Sequence, residues 1–207
     1  MEANVSRIKR NISNLRSSSS NINSLFKQLD SFGDYLLIGG AVRDLLFNSI
    51  PRDYDIVVDT KEELILDLPN IKRNSFGGIK VNINEIEFDI WSLSNTWAFK
   101  KMEVKASKEN LKDSCFFNLD SIIYDFKNEE LIYEHFSKGI TKNTLDIIYE
   151  ENPYPSVCVI RAFVLRDKWK LEFSKRLNNY ICNWYFETDD PLHSLIQAQE
   201  KHYKEIR

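Results

Sequence analysis

The sequence predicts an α+β fold: a mixed β-sheet with flanking helices, followed by a small helical domain. Three observations lead there. A short apolar strand, Tyr35 to Ile38, runs into Gly39-Gly40, then a helical stretch, then a second strand opening Asp53-Tyr54-Asp55. Residues 79–90 alternate between apolar and polar, the period of a strand with two different faces. Before residue 33 and after residue 154, apolar residues instead recur at helical spacing.

The N-terminal segment reads as two helical pieces. Ile8, Ile12 and Leu15 share one period, Ser17 to Ser20 interrupts it, and Ile22, Leu25, Phe26 and Leu29 resume it until Gly33. Serine competes for backbone hydrogen bonds, so the run marks a break. After the Tyr35–Ile38 strand, Ala41 to Phe47 reads as a helix closed before Pro51, and Tyr54 to Val58 as a strand. Thr60 with Glu63 has the form of a capping box, predicting a helix through about Leu66. Ile79–Ile83 and Ile86–Ile90 alternate in opposite senses around Asn84-Glu85, which reads as a hairpin tip. That places Glu85, Glu87 and Asp89 on one face and Ile86, Phe88 and Ile90 on the other. Residues 95–101 read as an aromatic helix or loop with local positive charge, and Leu131 to Tyr133 as a further strand. Helical stripes follow at Val157, Ile160, Val164 and Leu165, then at Leu177, Ile181, Trp184 and Tyr185, and a last helix from Pro191 carries Leu192, Leu195 and Ile196. The expected organisation is an arm over 1–33, a head over 34–136 and a helical, neck-like domain over 137–207.

Composition excludes several classes. The 207 residues are 43% hydrophobic with a net charge of −3, enough apolar content for a core. No apolar run is long enough to span a membrane, and the basic N-terminus is not followed by the apolar segment of a secretory signal. Cys115, Cys158 and Cys182 are scattered and odd in number, as in reduced thiols of a cytoplasmic protein. His135, His193 and His202 do not cluster. The acidic balance argues against a dedicated binder of long nucleic acid, although Arg7, Lys9, Arg10 and Arg16 form a local basic stretch that reads as RNA contact or as a solvated helix face.

The chemistry concentrates between residues 39 and 55. Glycines admit a close approach of backbone N–H groups to an anion, and a helix start adds partial positive charge. Asp53 and Asp55, two apart on a strand, point the same way. Paired carboxylates suit Mg²⁺, and a phosphate cradle beside them is the equipment of transfer from a nucleoside triphosphate (NTP).

Gly39-Gly40-Ala41-Val42-Arg43-Asp44 followed by Arg52-Asp53-Tyr54-Asp55 resembles the head domain of class II nucleotidyltransferases, the family of tRNA CCA-adding enzymes and bacterial poly(A) polymerases in the polymerase-β-like superfamily. The resemblance covers roughly residues 34 to 172. It implies a head domain that moves an NMP from an NTP to an acceptor hydroxyl with two Mg²⁺ ions held by Asp53, Asp55 and a third carboxylate. Asp89 is the match for that third acid, with Glu87 as the alternative. The resemblance also implies nucleotide contacts from Gly39, Gly40, Arg43, Arg52 and Asp120. Arg43 would neutralise phosphate or orient the acids, and Arg52 would meet phosphate or screen Asp53. Phe76-Gly77-Gly78 is similar to the family's F-G-T run, Phe117 to Asp125 to its F-T-x-N-A-L-A-Y-D run, and Ser137 to Ile140 to its turn into the neck.

Three departures shape the expected function. Ser114, Cys115 and Phe116 stand where the family has Arg-Arg-Asp, and Asp120 stands where it has Asn. Residues 151–155, Glu-Asn-Pro-Tyr-Pro, replace the base-reading E-D-x-x-R, leaving Arg161 or Arg166 as candidate substitutes. The chain ends where the family's tRNA-holding domains would begin. The expected acceptor is therefore an RNA 3′ end or, in a regulatory or toxin-like system, a protein or small molecule. A nucleotide-binding module without catalysis is a further reading.

Overall fold

The computed structural model describes residues 2–74, 77–102 and 104–202. Phe76, part of the F-G run, lies outside the described residues. The chain divides into two compact units, one of residues 1–115 and 120–134, the other of residues 116–119 and 135–207. The elements of the first are α1 (Glu2–Ser17), α2 (Ser20–Phe32), β1 (Tyr35–Ile38), α3 (Gly40–Leu46), β2 (Asp53–Val58), β3 (Lys72–Arg73), β4 (Ile79–Ile83), β5 (Ile86–Ser92), α4 (Trp97–Met102), α5 (Lys108–Leu111), β6 (Ile123–Asp125) and β7 (Glu130–Ile132). Among the described residues, seven strands form one sheet in the order β3-β4-β5-β2-β1-β6-β7. Every pairing is antiparallel except β2 with β5.

Strand alternation gives the sheet two faces with different coverings. One presents Tyr54, Ile56, Phe88 and Ile90, all buried. Phe26 of α2 meets Phe88 edge-on at 6.4 Å, and Tyr54 stacks on Phe88 at 5.3 Å. The other face is apolar only along part of its length, where Leu36, Val57 and Ile123 form a core cluster with Leu93, Phe99 of α4 and Leu111 of α5. Further along that face β2 presents Asp53 and Asp55, and β5 presents Glu87 and Asp89.

The helical arm divides at the serine run as its pattern predicts, with Ser19 capping α2 by accepting from the Asn21 N–H at 3.2 Å. Of its basic residues, Arg7, Lys9 and Arg16 bond within the first unit, while Arg10 is exposed. Arg7 donates to the Leu46 carbonyl at 2.6 Å, Lys9 pairs with Glu129 at 2.6 Å, and Arg16 stacks over Phe26 at 4.5 Å while donating to the Tyr35 hydroxyl.

The helix predicted after Thr60 is not formed. Leu64 and Leu66 are buried while Ile65 between them is 68% exposed, which is the period of an extended segment. The Thr60 hydroxyl accepts from the Glu62 N–H at 3.1 Å in a local turn, and Glu63 pairs with Arg73 at 3.1 Å instead of closing a capping box. The Asn84-Glu85 hairpin tip forms as read, with φ of 51° and 67°, the backbone of a two-residue turn whose twist matches its strands.

The second unit holds α6 (Glu134–Thr141, all but its first residue), β8 (Thr144–Leu145), α7 (Pro155–Trp169), β9 (Glu172–Phe173), α8 (Lys175–Glu187) and α9 (Pro191–His202). Residues 137–140, read as a turn, lie inside α6. Gly139 is buried there because a Cβ at that position would sit 2.3 Å from the Asn118 side-chain nitrogen. The Asn118 amide donates to the Thr144 carbonyl at 2.8 Å and accepts from the Asp146 N–H at 3.0 Å. The inward face of α7 is wider than the four-residue stripe, with Cys158, Val159, Ile160, Ala162 and Leu165 all buried. α9 buries Ala198 and leaves Leu192 and Ile196 exposed, against the stripe read from sequence.

The most buried acid in the first unit anchors the end of β6. Asp125 is 1% exposed and accepts from the Lys127 and Asn128 N–H groups at 2.9 and 3.1 Å and from Lys108 at 3.1 Å. Burial alone would raise its carboxyl, but the Asn128 N–H and the Lys108 ammonium outweigh that and hold it below 3.8. A carboxyl that holds its proton less tightly when folded stabilises the fold fully above its unfolded value, and that contribution disappears as pH falls through the lowered one. Asp125→Asn is therefore expected to cost about 1–3 kcal/mol near neutral pH, with the difference from the parent shrinking in acid, as read by urea unfolding at both pH values.

Candidate active site

The Gly39 turn joins the end of β1 to α3. Its φ is +70°, and a Cβ there would stand 3.8 Å from the Asp120 carbonyl oxygen and 3.9 Å from Asp55 Oδ2. The turn thus brings backbone close to the Asp55 carboxylate in a conformation that favours glycine. The Gly39 N–H donates to the Ile122 carbonyl at 2.9 Å, so this group of the expected phosphate cradle already serves the fold. The donors left for an anion are those of the first turn of α3, beginning with Gly40, which have no partner within the helix.

Arg43 and Asp120 meet each other. The Arg43 side chain is 5% exposed, with Nη1 2.8 Å from Asp120 Oδ1 and Nε 3.3 Å from Asp44 Oδ1. These two partners are acids flanking the glycine turn. The pair ties α3 to the segment entering β6 and holds both sides of the turn.

Asp53 and Asp55 lie on β2, with Tyr54 between them buried on the opposite face. Parallel pairing sets Asp53 beside Glu87 and Asp55 beside Asp89. All four acids therefore share a face, at its end away from the Val57 cluster. Asp89 is the more enclosed of the two β5 acids, with a side chain 22% exposed against 39% for Glu87. Burial raises its carboxyl above the ordinary value, the Lys80 ammonium opposes that rise, and the Glu87 and Asp53 carboxylates reinforce it. Arg52 grips Asp53 with both Nε and Nη2, at 3.0 and 2.6 Å from Oδ2.

Lys80 is the site residue that sequence reasoning missed. It lies on β4 directly opposite Asp89, with its ammonium 2.7 Å from Glu87 Oε1 and 3.1 Å from Asp89 Oδ2. Burial pulls its ammonium down, but hydrogen bonds to Glu87 and Asp89 outweigh this and hold it above its usual value. The signal was present: a two-residue tip at Asn84-Glu85 makes 80 the partner of 89.

Arg161 and Arg166 lie on α7 in the second unit. Arg166 stacks over Phe163 and Phe173 at 5.0 and 5.1 Å and pairs with Asp167. Its guanidinium has packing partners of its own.

Among the described residues, no group of three His, Cys, Asp or Glu side chains is gathered so as to hold a metal ion unaided. The donor set nevertheless fits Mg²⁺. This ion takes oxygen ligands and is usually bound by one or two carboxylates completed by substrate phosphates and water, not by an all-protein cage.

A seven-stranded mixed sheet with flanking helices, and a glycine turn beside acids on two adjacent parallel strands, define a nucleotidyltransferase-type head. The poly A polymerase head domain matches residues 35–143, just over half of the chain, and the chain belongs to that family. No curated protein matches it. Among solved structures it is similar to a CCA-adding enzyme in complex with ATP, with a TM-score of 0.61, 18% identity, and coverage of 91% of this chain and 48% of that one. The same enzyme type with CTP gives 0.61 and 18%, covering 95% and 50%. A tRNA nucleotidyltransferase complexed with a primer tRNA and an incoming ATP analog gives 0.62 and 17%, covering 84% and 54%. At these identities the likeness shows the fold, and the chain spans about half the length of these proteins. No helix among the described residues is long and apolar enough to cross a membrane.

Arg43→Met is expected to destabilise the protein by about 3 kcal/mol, because it removes the enclosed guanidinium that pairs with Asp120 and Asp44. Adding Asp120→Asn should recover part of that loss, measured as a double-mutant cycle in urea.

Proposed function

We propose that this chain is a Mg²⁺-dependent nucleotidyltransferase that moves an NMP from an NTP to an acceptor hydroxyl, with an RNA 3′ end as the acceptor. One observation carries the reading: the β2–β5 register sets Asp53, Asp55 and Asp89 on one partly exposed face beside the Gly39 turn. The solved relatives with ATP, CTP and a primer tRNA bound support the substrate and the acceptor.

Asp53, Asp55 and Asp89 are the residues that would hold two Mg²⁺ ions. When bound, the ions neutralise triphosphate charge and lower the pKa of the acceptor hydroxyl. The remaining work falls to the chain itself. The first-turn N–H groups of α3 receive phosphate oxygens. Arg43, fixed on Asp120 and Asp44, keeps that turn in place. Arg52 screens Asp53 until the triphosphate enters. The acceptor oxygen attacks the α-phosphorus, its bond to the β-phosphate breaks and pyrophosphate leaves. Asp89, in register with Asp55 on the neighbouring strand, takes up the hydroxyl proton.

Asp53→Ala and Asp55→Ala should each lower kcat at least about a hundredfold with the fold unchanged by circular dichroism, since each removes charge stabilisation worth several kcal/mol in the transition state. Glu87→Gln should cost much less than Asp89→Asn. The test is label transfer from each ribonucleoside triphosphate, labelled at the α-phosphorus, into mixed RNA and protein. Label in RNA that disappears with the Asp53 and Asp55 variants supports the reading. Label in protein moves the acceptor to a polypeptide. Nucleotide binding without pyrophosphate release leaves a module that only binds.

A further inference from the structure

Lys80 has no part in the reaction just described, yet its ammonium lies between two of the four acids. Its position is set by backbone. The hairpin tip fixes Lys80 opposite Asp89 and Asn82 opposite Glu87, and alternation puts Lys80 on the acidic face. The ammonium reaches both Glu87, at 2.7 Å, and Asp89, at 3.1 Å. The two acceptors differ in kind. Asp89 is the enclosed acid in register with Asp55, whereas Glu87 is more exposed and sits a register step nearer the strand's start. Lys80 itself is 42% exposed at its side chain, so its flexible stem can shift toward Glu87 without crossing packed core.

We propose that Lys80 is an internal counter-ion that competes with a divalent cation for Asp89, and that Glu87 is the acceptor that keeps Lys80 when the cation binds. This rests on the reading that Asp89 is a metal ligand. Four carboxylates on one face repel one another, and Lys80 relieves that repulsion in the metal-free protein. The same charge disfavours a divalent ion at Asp89 until further negative charge arrives. A triphosphate brings that charge, so Lys80 makes metal binding depend on nucleotide binding. Lys80 is thus a positioning residue that sets when the site loads.

The test is direct titration with Mn²⁺ in the absence of nucleotide, followed by electron paramagnetic resonance of the free ion at fixed ionic strength. A unit charge about 6 Å from a divalent ion in a water-like dielectric changes binding about tenfold. Lys80→Met should therefore bind Mn²⁺ about tenfold more tightly than the parent, and Lys80→Arg should bind as the parent does. Lys80→Gln serves equally should the methionine variant fail to fold, and melting temperatures check both. Unchanged or weaker Mn²⁺ binding in Lys80→Met, with binding still abolished by Asp89→Asn, overturns the proposal and leaves Asp89 as a ligand. Mn²⁺ binding that survives Asp89→Asn, or that is absent from every variant, overturns the metal role of Asp89 and this proposal with it.

Discussion

The parallel pairing of β2 with β5 is the constraint on which the first unit depends. It is the one parallel contact in a sheet otherwise antiparallel among the described residues. Parallel neighbours cannot be joined by a tight turn, and here the chain between them builds β3 and β4 on the far side of β5. The pairing has two consequences at once. It places Val57 beside Trp91 and Ile56 beside Ile90, which continues the core, and it places Asp55 beside Asp89 and Asp53 beside Glu87, which makes the acidic face. A slip of one residue would turn the acids into the aromatic layer around Phe26 and Phe88 and bring Tyr54 out. Burial of Tyr54, Phe88 and Ile90 therefore enforces the geometry of the site, so the stability of the sheet and the alignment of its carboxylates are one property.

The site also depends on where the covering stops. Leu93, Phe99 and Leu111 close one face over Leu36, Val57 and Ile123, and the acids begin one pleat further along. Asp53 and Asp55 belong to the same run of outward positions as Val57, and only the covering distinguishes them. On β1 the same division separates Leu36, packed in the cluster, from the Gly39 turn that meets Asp55.

Much of this was legible in the sequence because the signals were local. Gly39-Gly40 and the Asp53-Tyr54-Asp55 alternation state their geometry within a few residues, and Asn84-Glu85 states the hairpin. Reading failed where a long-range contact overrode a local pattern. The Thr60–Glu63 spacing satisfies a capping box, yet Leu64 and Leu66 gain more by burial in an extended segment, and Arg73 takes Glu63. Gly139 invites a turn, but its missing Cβ makes room for the Asn118 amide inside a helix. The bond from Arg43 to Asp120, a partner 77 residues away, is likewise a long-range contact that no local pattern announces. Lys80 falls between these cases, since its partner followed from the hairpin tip by counting but became visible only once the acids were taken as a cluster.

Charge accounting on the acidic face explains why such a cluster is stable without being inert. Among the described residues, Asp53, Asp55, Glu87 and Asp89 bring four carboxylates to this face, and Arg52 and Lys80 pair with three of them. The protein thus neutralises part of the face with side chains of its own and leaves it electronegative. Full neutralisation by lysine or arginine would have made a structural ion-pair network with no reason to exchange partners. No neutralisation would have left like charges on adjacent strands, which destabilises a sheet. The intermediate state suits divalent cations, which bring two charges on one small ion. Arg52 and Lys80 are both well exposed at their side chains, so either can change partners at little cost in packing. Arg43, enclosed between Asp120 and Asp44, is held more firmly. The face therefore combines one fixed cation that shapes the turn with two that are free to move.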